Sequence, residues 1–137
     1  MSDNKITSRE LSCLAIEAMK KSYSPYSKFT VGAALLTKGG KVYTGANIEN
    51  ASYTPTVCAE RVAFFTALHN GETEFEAIAI VGGLAGDVKG LCAPCGVCRQ
   101  VMSEFCSPDF KVVLVKSNDA DFEEVTLGEL LPYTFKL

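Results

Sequence analysis

Between Ile6 and Lys21 the apolar residues Leu11, Leu14, Ala15, Ala18 and Met19 recur at helical spacing, with Thr7 or Ser8 placed to cap the N-terminus. The pattern predicts an amphipathic helix, ended by "SYSPYSKF". β-Branched and apolar residues then fill Phe29 to Leu36 and Lys41 to Ile48, on either side of "KGGK", whose two glycines suit a tight hairpin turn. Val57 to His69 reads as a largely buried helix, and "NGE" supplies a left-handed stop at Asn70 or Gly71. The short run "AIAIV", Ala77 to Val81, has the unbroken apolar character of a strand buried on both faces. Gly82 to Gly90 reads as a loop.

Cys95 to Phe105 predicts a further helix that begins just after Pro94, and "KVVLVK", Lys111 to Lys116, a further strand. Only about four residues separate it from the next strand, Asp121 to Thr126. A parallel crossover needs roughly a dozen, so these two are expected to pair antiparallel. A short helix from Leu127 to Leu131 stops at Pro132. The order α-β-β-α-β-α-β-β-α predicts an α/β fold, a three-layer α/β/α sandwich around a five-stranded mixed sheet. No linker, repeat or low-complexity segment interrupts it, so residues 1–137 are expected to form a single domain.

Composition narrows the partners. With 137 residues, 47% of them apolar, the chain can bury one real core. Its net charge of −3 and scattered Lys and Arg argue against nucleic acid as a partner, because such binders carry a basic stripe that releases counterions. The opening "MSDNKITSRE" is polar and no apolar run approaches the ~20 residues that span a bilayer. Neither a secretory signal nor a membrane contact is expected, and the expected compartment is the cytoplasm. Thiols stay reduced there, so the six cysteines are not expected to form disulfides.

Those cysteines carry the candidate chemistry. Cys58, in "TVCAER", falls at the front of one predicted helix, while Cys95 and Cys98, three residues apart, fall at the front of another and share a face. Together they form the two halves of a metal clamp. Helix N-termini supply unpaired N–H groups and partial positive charge, which favour thiolate over thiol. Zn²⁺ is the natural ion for such ligands. Arg61 and Arg99, next to the two ligand segments, are placed to donate hydrogen bonds to sulfur and offset the surplus negative charge.

Other readings compete with this one. Cys13 and Cys106 are expected to be small core residues. A redox C-x-x-C pair would leave Cys58 and Glu60 unexplained. A closed site is the stronger rival, because Cys92 could join the other three as a fourth ligand of a structural zinc or an iron–sulfur cluster. Glu60 favours the open site: a catalytic zinc keeps one position for water, and hydrolysis needs a carboxylate to move that water's proton. On a regular helix, residues i and i+2 point about 200° apart, so Cys58 must sit in an irregular first turn if both are to face the metal.

"CAE" at 58–60 and "PCGVC" at 94–98 resemble the two halves of the zinc-dependent cytidine deaminase signature, in its three-cysteine form. The resemblance extends from "YSPYSKFTVGAAL" through "GANIENASY" and "CAER" to "PCGVCRQ" and "ELLPYTF". It implies Cys58, Cys95 and Cys98 as ligands of one Zn²⁺ per chain, Arg61 as a support for the sulfurs, Cys92 as a bystander and Glu60 as the proton shuttle. It further implies that Phe29 stacks on the pyrimidine, that Asn47 and Glu49 hold the ribose hydroxyls, and that the backbone at Ala59 reads the base edge. Phe135 would close a pocket in a neighbouring subunit of a homotetramer with shared active sites. The implied reaction is hydrolytic deamination of cytidine and deoxycytidine to uridine and deoxyuridine, with release of ammonia, in pyrimidine salvage. Attack at C4 would come from water activated on the zinc.

The "NIEN" sugar contacts favour a nucleoside over an antibiotic such as blasticidin, and the acidic charge balance disfavours a polynucleotide substrate. His69, the sole histidine, is expected on the surface at a helix C-terminus. "DADFEE" at 119–124 lacks the glycine and spacing of a calcium loop and reads as a solvated edge strand.

Overall fold

A computed structural model describes residues 6–137, so the first five residues of the polar opening lie outside the described residues. Helix α1, Ser8–Met19, starts in a capping box: Thr7 Oγ1 accepts from the Glu10 amide at 3.1 Å, and Glu10 Oε1 accepts from the Thr7 amide at 2.8 Å. It buries Leu11, Ala15, Ala18 and Met19. Cys13, expected in the core, is exposed, and Leu14 is largely turned out. At about 100° per residue, Cys13 stands opposite the arc that runs from Leu11 through Ala15 and Ala18, so an apolar residue there has no core to enter.

Strands β1, Phe29–Thr37, and β2, Val42–Ala46, form the expected hairpin. Helix α2, Ala59–His69, stops at Asn70, and it is Gly71 that takes the left-handed conformation, with φ +89°. Strand β3 runs Phe75–Leu84, longer at both ends than the expected Ala77 to Val81. Gly82 and Gly83, assigned to a loop from sequence, pair with Val31 and Thr30 of β1. A Cβ on Gly83 would lie 2.3 Å from the Asp87 carbonyl oxygen, so the glycines belong to a strand over which the following segment folds back.

Helix α3, Gly96–Phe105, strand β4, Lys111–Val115, strand β5, Phe122–Thr126, and helix α4, Leu127–Leu130, follow within a residue or two of expectation. The sheet order is β2-β1-β3-β4-β5. Among the described strands only β3 and β4 pair in parallel, joined through α3; β4 and β5 pair antiparallel, as the short connection requires. The acidic β5 forms a sheet edge, with Lys116 near Glu123 and Lys111 near Glu124.

Alternation along the strands divides the interior into two cores. Ala33, Leu35, Ile78, Ile80, Val112 and Leu114 face α2, α3 and α4, with Phe64 and Met102 completing the packing. Ala34, Leu36, Ala77, Ala79, Val113 and Val115 face α1. The result is the α/β/α sandwich, its central strands apolar on both faces. Gly45 of β2 sets the depth of α2, because a Cβ there would stand 2.4 Å from the Ala59 carbonyl oxygen and 2.6 Å from the Ala63 amide nitrogen. The N-terminal turn of α2 is thereby pressed onto the sheet beside the N-terminus of α3.

Candidate metal centre and active site

Cys58 is the N-cap of α2 and Cys95 the N-cap of α3, both with extended backbone, at φ −76°, ψ 154° and φ −70°, ψ 167°. The irregular start that the sequence required of Cys58 is therefore present. Cys98 lies inside the first turn of α3, and its amide donates to Cys95 Sγ at 3.5 Å. Cys58 Sγ is 3.6 Å from Cys95 Sγ, which is 3.5 Å from Cys98 Sγ, and all three lie within 4.8 Å of one another. Sulfurs held at ~2.3 Å by one tetrahedral Zn²⁺ stand about 3.8 Å apart, so this soft, three-thiol set fits zinc. Cys92 is outside the group. The sulfur cluster is thus three-membered among the described residues, and the closed four-cysteine reading has no support in the geometry.

Electrostatics prepare the sulfurs unequally. Hydrogen bonding from Cys98, then from Arg61 and Cys95, brings the Cys58 thiol down to about 5 against the opposing effect of burial. The same contact with Cys58, together with burial, pushes the Cys98 thiol up. Arg61 Nη2 donates to Cys58 Sγ at 3.5 Å, as expected from sequence. Arg99 does not reach sulfur. Its Nε donates to the Pro94 carbonyl and its Nη1 to the Leu130 carbonyl, each at 2.7 Å. Arg61 stands three residues past its N-cap and Arg99 four past its own, about 100° further round the helix, and so Arg99 faces the Pro94 loop and not a sulfur.

Glu60 is 3% exposed, and its Oε1 has no hydrogen-bond partner. Burial, aided by the charge of Cys58, pushes its carboxyl up to about 7. The Cys98 side chain pulls it slightly the other way, so the carboxyl lies close to the sulfurs. A buried carboxyl oxygen without a partner is costly unless something else meets it there, and a carboxyl that titrates near neutrality suits proton transfer.

The polar wall comes from the loop between α1 and β1 and the segment after β2. Ile48 and Val57 exchange two backbone hydrogen bonds at 3.0 Å, and Tyr23 bonds to Asn47 and Glu49 on the other side, so these segments meet just before Cys58. Asn47 is buried. Its Oδ1 accepts from the Val31 amide at 2.9 Å and from Ser22 Oγ, and its Nδ2 donates to the Phe29 carbonyl at 2.9 Å. Glu49 Oε1 accepts from the Tyr26 and Ser27 amides at 3.0 and 3.1 Å, and Oε2 accepts from Ser27 Oγ. Those bonds, the Ser27 hydroxyl first, hold Glu49 below the usual carboxylate range. Sequence reasoning missed Ser22 and Ser27; the only signal was the serine-rich "KSYSPYSKF".

Phe29 opens β1, 38% exposed. Its ring edge and Cys92 Sγ both converge on Gly82, where a Cβ would stand 2.9 Å from Phe29 Cε2 and 2.7 Å from the sulfur. Burial, and then the charges of Glu60 and Cys58, lift the Cys92 thiol to about 11, which marks it as a neutral neighbour of the cluster. Ala59 is fully buried with its carbonyl over Gly45. Phe135 is 67% exposed and shares a cleft with Ser103, Cys106, Pro108 and Leu127, which none of the three clustered cysteines lines. Cys106 is buried, its thiol raised to about 12 chiefly by desolvation, as expected of a core cysteine. His69 is exposed at the end of α2.

Residues 6–115 match the family model described as the cytidine and deoxycytidylate deaminase zinc-binding region. The chain belongs to the cytidine deaminase family. It is 52% identical to a cytidine deaminase of Halalkalibacterium halodurans over 121 residues, 88% of each chain. It is 48% identical to one of Sporosarcina psychrophila, across 87% of this chain and 84% of that one. The crystal structure of a cytidine deaminase from Burkholderia pseudomallei superposes with a TM-score of 0.86 at 48% identity, covering 95% of this chain and all of the other. The sandwich is therefore that of the cytidine deaminase family, and the three-sulfur cluster of this chain is able to hold one metal ion.

Proposed function

We propose that the protein catalyses hydrolytic deamination of cytidine and deoxycytidine to uridine and deoxyuridine, releasing ammonia. The observation that carries this reading is the buried Glu60 carboxyl, its Oε1 without a hydrogen-bond partner, beside a three-sulfur cluster in a chain of the cytidine deaminase family. Cys58, Cys95 and Cys98 would hold one Zn²⁺, with Arg61 donating to Cys58. Bound there, the ion supplies Lewis-acid chemistry that makes water nucleophilic near neutral pH.

The chain's own groups do the rest. Glu60 takes the proton of the attacking water and passes it to ring N3 as C4 becomes tetrahedral. It then takes the remaining proton from the hydroxyl on C4 and delivers it to the exocyclic amine, which leaves as ammonia while C4 becomes the carbonyl. A group that titrates near 7 can serve as base and acid in turn. Phe29 stacks on the ring, and the backbone at Ala59, within the donor-rich first turn of α2, reads the base edge. Glu49, held ionised by three donors, accepts from a ribose hydroxyl, and the remaining Nδ2 hydrogen of Asn47 donates to another. This sugar-binding pair favours a nucleoside over a base or an antibiotic.

Phe135, exposed along with Tyr133 and Leu137, is assigned to a neighbouring subunit's pocket in a homotetramer. No helix among the described residues is long and apolar enough to cross a membrane. Pyrimidine salvage in the cytoplasm accords with a ligand set of free thiols, which needs a reducing compartment. Residues 1–137 are read as one zinc-dependent deaminase domain. The test is one preparation assayed for zinc per chain and for ammonia release from cytidine, deoxycytidine, cytosine and blasticidin S. Zinc at one per chain with release from the two nucleosides is expected; zinc without release from either would remove the enzymatic reading.

A further inference from the structure

Arg99 joins two backbone carbonyls from separate elements, those of Pro94 and Leu130. Leu130 is the last residue of the four-residue α4, so its carbonyl has no partner within that helix. Pro94 is buried, and its carbonyl belongs to the peptide plane that ends at the Cys95 nitrogen. Fixing that oxygen fixes the plane, and with it the direction in which Cys95 leaves the loop. Cys95 is the one exposed member of the sulfur cluster, so its own side chain has the least packing to hold it and its direction depends on the backbone it leaves. The other end of α4 is already anchored, because the Leu127 and Gly128 amides donate to the Phe110 and Pro108 carbonyls at 2.9 and 2.8 Å. α4 is therefore a fixed post, and the Arg99 guanidinium ties the Cys95 loop to it through two 2.7 Å hydrogen bonds.

We propose that Arg99 is a positioning residue for the metal centre: it holds the Pro94–Cys95 peptide in ligating geometry by bridging it to the C-terminal end of α4. The inference rests on the reading that Cys95 binds zinc. A planar fork is the side chain for this task, since its Nε and Nη1 present two donors at fixed separation, whereas the single ammonium of lysine does not. The Leu131–Leu137 tail, which carries Phe135, leaves from the same post, so the order of the loop and the order of the tail's first residues are linked.

The test compares wild-type protein with Arg99→Gln, Arg99→Lys and Cys95→Ser, each loaded with zinc and mixed with a colorimetric chelator. Groups that orient a metal ligand are typically worth about 10–100-fold in metal affinity, so zinc release from Arg99→Gln is expected to be faster by that order. Arg99→Lys is expected to release zinc equally fast. Cobalt-loaded Arg99→Gln should show weakened thiolate-to-metal charge-transfer absorption, a signature that a merely structural role would not move. Wild-type release and absorption in Arg99→Gln would overturn the proposal, and wild-type release in Arg99→Lys would overturn the bidentate bridge. If instead Cys95→Ser retains zinc as wild type does, the ligand assignment itself fails. Should the glutamine variant not fold, hydrogen exchange on wild-type protein decides. Zinc removal is expected to quicken exchange of the Leu131 amide, which donates to the Leu127 carbonyl at 2.8 Å. Unchanged exchange there would overturn the link.

Discussion

Cys58 and Glu60 stand two residues apart and still meet at one site, because Cys58 is an extended N-cap while Glu60 has entered the helix. Had α2 begun one residue earlier, the two side chains would diverge by about 200° and sulfur and carboxyl could not share a substrate. The cap also leaves the first-turn amides of α2 without intrahelical partners, at the positive end of the helix that Cys58 opens.

Glu60→Gln keeps the size of the side chain and removes its ability to carry a proton. The variant is expected to bind zinc at the wild-type level and to lose about 10²–10⁴-fold in turnover. Metal analysis and spectrophotometric conversion of cytidine in the same sample check it; near-normal turnover would take the glutamate out of the reaction.

Cys92→Ala should leave zinc content at one per chain, because the Cys92 sulfur lies outside the three-membered cluster. Turnover is also expected to hold, since the thiol is raised to about 11 and stays neutral. Metal loss in this variant would restore the four-cysteine site.

Asn47→Ala is expected to lower stability as well as substrate affinity. It strips partners from the Val31 amide, the Phe29 carbonyl and Ser22, and each buried polar group left unpaired costs about 1–3 kcal/mol. Urea unfolding beside KM measurements separates the two effects. A raised KM with unchanged unfolding would mean that the side chain serves the substrate alone.

Gly45→Ala and Gly32→Ala form a contrasting pair. A Cβ at Gly32 would meet the Ala15 carbonyl oxygen of α1 at 2.1 Å, and one at Gly45 the Ala59 carbonyl oxygen of α2 at 2.4 Å. Both replacements force a helix off the sheet, and overpacking of this kind typically costs about 1–3 kcal/mol or more. Only Gly45→Ala displaces the turn that carries Cys58 and Glu60, so it alone is expected to weaken zinc retention. Equal zinc retention in the two variants, measured by chelator competition, would break the link between α2 depth and the metal centre.

The error at Cys13 and the success at Cys106 have one origin. Residue type made both look like core positions, but only the rotation of each helix against the sheet decided which face was covered. The shortened reading of β3 came from treating Gly82 and Gly83 as punctuation. In the fold they are the places where Phe29, Cys92 and Asp87 come too close for any side chain, a fact carried by residues far off in the chain.

Local order was written in the linear chain: the strand and helix periods, the capping signals at Thr7 and Gly71, the short β4–β5 connection, and the two cysteine segments with Glu60 all depend on near neighbours. Whether Cys92 would join the sulfurs, whether Arg99 would face a sulfur or a carbonyl, and how many partners Asn47 and Glu49 would find were decided only when separate segments packed together. The reason is geometric. Periodicity constrains a side chain's direction about its own element, while contact between elements depends on their relative depth and rotation, which the sheet and its glycines set only in three dimensions.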